Sequence, residues 1–80
     1  MINDDLNFIN DSKLLVIPLK HKVLVQTSGF PVLGFILLEN KTEVFEGNFL
    51  AYIYKEIEAK DCKKHSYSSV EELTKDWLVD

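Results

Sequence analysis

Cys62-Lys63-Lys64-His65 sets the only cysteine of the chain three residues from one of its two histidines. Two kinds of chemistry use such a pair. A catalytic cysteine needs a base to hold it as thiolate and a third group to orient that base. His65 and the neighbouring lysines would lower the thiol pKa, but no orienting group and no oxyanion-hole loop accompany them in the sequence. A structural zinc ion needs four ligands, usually as a second such pair. The other histidine, His21, has no cysteine or histidine near it in the chain. The motif therefore supplies half a site, and neither a metal nor any other cofactor is expected. Residues 61–68 read instead as a solvated connector between two helices, its positive charge favoured near the end of the first.

The remaining candidates are weaker. Asp4-Asp5 and Glu71-Glu72 are paired carboxylates, yet acid–base work needs environments that drive two pKa values apart. Glu71 and Glu72 already fit the first turn of a helix. The glycines stand singly at 29, 34 and 47, so no phosphate-binding loop exists. Lys20, Lys22, Lys60, Lys63 and Lys64 are the only clustered cations, and they define the alternative reading, a nucleic-acid-binding regulator. Against it stand a net charge of −4 and nine basic residues that are all lysine. Arginine is the usual residue for bidentate phosphate and guanine contacts. A DNA mimic would need ordered rows of carboxylates, and here lysines interrupt them.

The elements that must position these groups are legible in outline. Eighty residues with 46% apolar content make one domain with a real core, and one cysteine allows no internal disulfide. The acidic start is unlike a secretory signal, and no apolar run approaches the roughly 20 residues of a membrane helix. A cytoplasmic protein is expected, with no membrane partner. Lysine without arginine, together with many asparagines, points to an AT-rich genome such as that of a low-GC bacterium or its phage.

Residues 1–12 read as a polar arm or a short helical turn capped by Asn3, with Ile2, Leu6 and Ile9 on one side. Period-two alternation from Lys13 to Thr27 predicts one bent strand or a hairpin, with Pro18 at an edge or a bend. The stretch 31–38 is apolar on both faces and suits a central strand, in which Gly34 marks a bulge or close packing. Asn40-Lys41 turns the chain into a strand over 42–46, whose free edge Glu43 and Glu46 would protect. Asn48 caps a helix over 49–60, with Leu50, Ile53, Tyr54 and Ile57 as its inner stripe. Ser68-x-x-Glu71 and Ser69-x-x-Glu72 both fit a capping box for the last helix, with Val70, Leu73 and Trp77 on one face.

The fold expected is α+β: a small antiparallel sheet of three to four strands (13–47) followed by two helices (48–80) packed on one face. The function expected is non-enzymatic, a small protein-binding regulator or inhibitor. A phage or mobile element encoding it against a host or defence protein is the leading specific form. The helix beginning at Phe49 is apolar almost all round, so either its wide stripe wedges between the sheet and the last helix, or Phe49 or Tyr52 projects outward. With the acidic Glu56 and Glu43 these two aromatics form the expected partner surface, for a protein target or a second copy of the chain.

Overall fold

The computed structural model describes residues 4–80. Its elements run α1 (Asp4–Asp11), β1 (Val16–Val25), β2 (Pro31–Leu37), β3 (Asn40–Glu46), α2 (Phe49–Ile53), a 3-10 turn (Ala59–Asp61), β4 (Lys64–Ser66), α3 (Val70–Asp76) and β5 (Trp77–Val79). The fold is α+β, with a five-stranded sheet in the order β4-β3-β2-β1-β5. Every pairing is antiparallel.

Successive residues of a strand face opposite sides, and the two sides of this sheet are built differently. Ile17 and Leu19 of β1, Ile36 of β2 and Val44 of β3 face one side. There they join Ile9 of α1, Leu73 of α3 and Trp77 of β5 in one buried cluster. Phe35 is equally buried but faces the other side, where its ring meets Phe45 at 5.6 Å and Tyr52 of α2 at 4.7 Å. The helices thus lie on both faces, not on one as expected. α1 and α3 cover the Trp77 side, and α2 covers part of the Phe35 side. The reason is β2, which is apolar on both faces and has to be covered twice.

Local signals explain most boundaries. Asn48 caps α2, its Oδ1 accepting from the Leu50 N–H at 2.8 Å. Of the two candidate capping boxes Ser69 takes the role, its Oγ accepting from the Glu72 N–H. The Glu72 carboxylate does not close the box and pairs with Lys75 at 2.8 Å. The amino-terminal stretch is a helix, with Ile9 fully buried; the expected contributions of Ile2 and Asn3 lie outside the described residues. The helix is tied down at both ends. Asp5 accepts from the Val79 N–H at 3.1 Å, and Lys41 Nζ donates to the carbonyls of Ile9, Asn10 and Ser12. An ammonium group at the last carbonyls satisfies orphan acceptors and complements the helix dipole.

Residues 16–25 form one strand, with its register broken between Lys20 and Val25. Pro18 sits inside it without harm. Its carbonyl accepts from the Asp80 N–H, just past the last residue of β5, so the missing donor faces the place where that ladder ends. The strand 40–46 is not an edge, because β4 pairs with it and takes that position. Residues 49–60 do not form one helix. α2 ends at Ile53, and Lys55 takes a left-handed conformation with φ of 63° that breaks the helical path.

Gly34 is explained by close packing. A Cβ there would lie 2.8 Å from Val44 Cγ1, 3.0 Å from Trp77 Cζ3 and 3.1 Å from the Phe45 carbonyl oxygen. Gly34→Ala is expected to destabilise the protein by about 1–3 kcal/mol, the usual penalty of overpacking a filled core. Denaturant unfolding of the variant measures it, and a loss below 0.5 kcal/mol would mean that the Trp77 side is not filled.

Candidate functional site

The motif that opened the question falls apart in three dimensions. Asp61 ends the 3-10 turn, while Lys64 to Ser66 form the edge strand β4, so the stretch is not simply a helix–helix connector. Cys62 lies on the Phe35 side, its Sγ 3.6 Å from where Gly47 would carry a Cβ. Its thiol hydrogen bonds to the Glu58 carbonyl at 3.4 Å. His65, paired with Val44 in the sheet, faces the Trp77 side and bonds through Nε2 to Glu46 at 2.9 Å. The sheet therefore stands between thiol and imidazole. Burial pushes the Cys62 thiol pKa up, and the Asp61 carboxylate adds to the rise. Both effects run opposite to the activation of a nucleophile. Among the described residues no group of three His, Cys, Asp or Glu side chains could hold a metal ion.

Both histidines instead bracket Trp77. The His21 ring meets the indole edge-to-face at 4.7 Å between centroids, and the His65 ring does so at 5.6 Å. The indole Nε1–H donates to the Tyr67 hydroxyl, which donates in turn to Asp76, each at 2.9 Å. This chain satisfies the one polar atom of a fully buried side chain, as burial requires. It is a structural network. Partial burial holds the Tyr67 hydroxyl pKa above its ordinary value near 10, and the bond to Asp76 acts in the same direction.

The five lysines of the nucleic-acid reading do not converge. Lys20 and Lys22 lie on β1, and the other three lie on or beside β4, roughly 14 Å away across three strand spacings. Lys20 pairs with Asp80 at 3.9 Å, Lys60 with Glu58 at 3.1 Å and Lys64 with Glu43 at 3.2 Å. Lys22 and Lys63 form no ion pair among the described residues.

The residues expected to form a partner surface are partly re-sorted. Tyr52 turns inward onto Phe35 and is half-buried, and Phe49 is half-buried as well. Glu56 is exposed, whereas Glu43 is half-buried and engaged by Lys64. The side chains expected inside face out: Leu50 and Ile53 are each about half exposed, and Tyr54 is 72% exposed. A helix of five residues is too short for its periodicity to fix which side is buried, and the Phe35 ring fixes it instead.

Two further apolar features were not foreseen. Residues 22–30, the far end of the β1–β2 hairpin, are exposed throughout, including Val23 at 78%, Leu24, Val25 and Phe30 at 70%. At the opposite end of the same hairpin, Leu15, Val16, Leu37, Leu38, Glu39 and Tyr52 line a mostly apolar cleft of about 490 Å³. The signal was present in Val23-Leu24-Val25, three consecutive apolar residues where alternation would allow two on one face. No helix among the described residues is long and apolar enough to cross a membrane. Comparison of the chain with protein-family models, curated proteins and solved structures finds no match.

Two measurements follow from this geometry. Cys62 should alkylate at neutral pH more slowly than a free peptide thiol; a faster reaction would require an activating group that the fold does not place beside it. Tyr67 has its folded pKa raised, so it stabilises the fold below about pH 10 and loses that contribution as pH rises through the folded value. Stability of the parent protein should therefore fall more steeply above pH 10 than that of Tyr67→Phe, although the variant is less stable at neutral pH. Parallel alkaline profiles would exclude the coupling.

Proposed function

We propose that this protein is a non-enzymatic protein-binding regulator or inhibitor, and that its contact surface combines the hairpin arm 22–30 with the outer side of α2. One observation carries the reading. Val23, Leu24, Val25 and Phe30 on the arm and Leu50, Ile53 and Tyr54 on α2 are left in solvent, the largest grouping among the exposed apolar side chains, which also include Phe8, Leu14, Leu15 and Leu78. Contiguous apolar surface on a small soluble domain ordinarily marks a binding site. The two parts adjoin, because Asn48 at the start of α2 and Gln26 and Val32 at the base of the arm line one depression.

Tyr54, Ile53 and Phe30 are the anchors this surface offers, and Glu56 supplies acidic charge beside them. Phe49, Tyr52 and Glu43 support the same face from positions half-buried beneath or beside it. The net charge of −4 suits a partner that presents an apolar depression with a basic rim. A phage or mobile-element inhibitor of a host or defence protein is the specific form proposed. That origin rests on composition alone, on lysine used without arginine.

The test is affinity capture from nuclease-treated lysate of a low-GC bacterium, with three baits in parallel. The parent chain should retain one stoichiometric protein. Val23→Asp/Phe30→Asp and Tyr54→Ala/Glu56→Lys, each shown to be folded by circular dichroism, should retain at least tenfold less. Equal capture by all three folded baits would remove the proposed surface. Capture that depends on intact nucleic acid would favour the lysine clusters.

A further inference from the structure

The arm leaves the sheet at a defined place, and one side chain sets its departure. After Lys20 pairs with Leu33, the register between β1 and β2 is lost until Val25 meets Pro31. In that gap the N–H groups of Val23 and Leu24 do not join a strand ladder. Both donate to Nδ1 of His21, at 3.1 and 2.9 Å. An imidazole nitrogen accepts only when it carries no proton, so this arrangement requires an Nδ1 without one. The same ring is held to the body of the protein by its edge-to-face contact with the buried indole of Trp77. His21 thus has one side on the core and the other on the Val23 and Leu24 amides near the start of the arm.

We propose that His21 is an acid-sensitive latch that fixes the direction of the arm and releases it when the ring is protonated. An imidazolium has two donors and no acceptor, so protonation at Nδ1 removes both bonds to the arm together. The ring has room to stay against Trp77, 4.7 Å away between centroids, and a cation over an indole face within about 6 Å is attracted to it. The arm lets go while the ring stays. The freed amides are exposed and can bond to water, so the change is local and the core is left intact.

No other charge at this place performs the switch. Lys20 and Lys22 flank the ring on β1, and Lys20 faces Asp80. Val32 and Leu33 of β2 are apolar at this level. On the β5 side Asp76 is engaged by Tyr67, and beyond the indole His65 is engaged by Glu46. The latch is independent of what the arm binds.

The test is amide hydrogen exchange at Val23 and Leu24, followed by NMR between about pH 8 and pH 5 while the His21 ring carbons report protonation. Corrected for intrinsic rates, protection at both amides should fall a few-fold to about tenfold as the ring titrates, the range that a net hydrogen bond is worth. Protection at Phe35 in the central strand should stay constant. His21→Phe keeps an aromatic ring for Trp77 without the acceptor; it should show the low protection at every pH. His65→Gln should leave the response unchanged. Unchanged protection across the His21 titration would overturn the latch, as would a ring that stays neutral throughout or a pH response that persists in His21→Phe.

Discussion

The burial of one indole organises most of this small fold. Trp77 is fully buried and lies so close to Gly34 that a methyl group between them would touch both Trp77 and Val44. To reach that position the chain must leave helical geometry at Trp77, which is extended with φ of −121° and ψ of 144°. The same residue therefore ends α3 and begins β5. Its ring draws His21 and His65 from β1 and β4, and its N–H recruits the Tyr67 hydroxyl. His65, which looked like a candidate for chemistry, is thus gathered with His21 and Tyr67 around one large side chain.

The opposite face is only partly covered. β2 is apolar on both sides, so it needs two covering layers, and small domains have little chain to spare for a second. α1 and α3 together close the Trp77 side. The Phe35 side receives only α2, five residues long, with Tyr52 stacked on Phe35. Leu50, Ile53 and Tyr54 remain outside, as does the whole end of the β1–β2 hairpin. This incomplete cover is the physical origin of the surface to which binding is assigned. The edges of the sheet, by contrast, are guarded: β4 and β5 are three residues each, too short to template another strand.

Features written in local chemistry were legible before the structure. Asn48 and Ser69 announced their helices because a cap is a short-range hydrogen bond. The central place of β2 followed from its two apolar faces, whereas the alternation over 13–27 left one bent strand and a hairpin both open. Features created by long-range pairing were not legible. Lys64 to Ser66 and Trp77 to Val79 become strands because β3 and β1 have free edges beside them. Lys41 read as part of a turn, and nothing local shows that its ammonium group caps α1 some thirty residues earlier. The inward side of α2 was misjudged for the same reason, since the Phe35 ring that decides it lies in another element. Cys62 and His65, three residues apart in sequence, are parted because only His65 joins the strand β4, which spacing alone does not reveal.

The central claim is that the uncovered apolar face is where this protein meets another. The most direct measurement is a hydrogen–deuterium exchange footprint of the chain bound to the protein it captures. Protection gained over residues 22–30 and 49–56, with β4 and its lysines unchanged, is the result predicted. Protection centred on residues 60–66, with the arm still exchanging freely, would contradict the account.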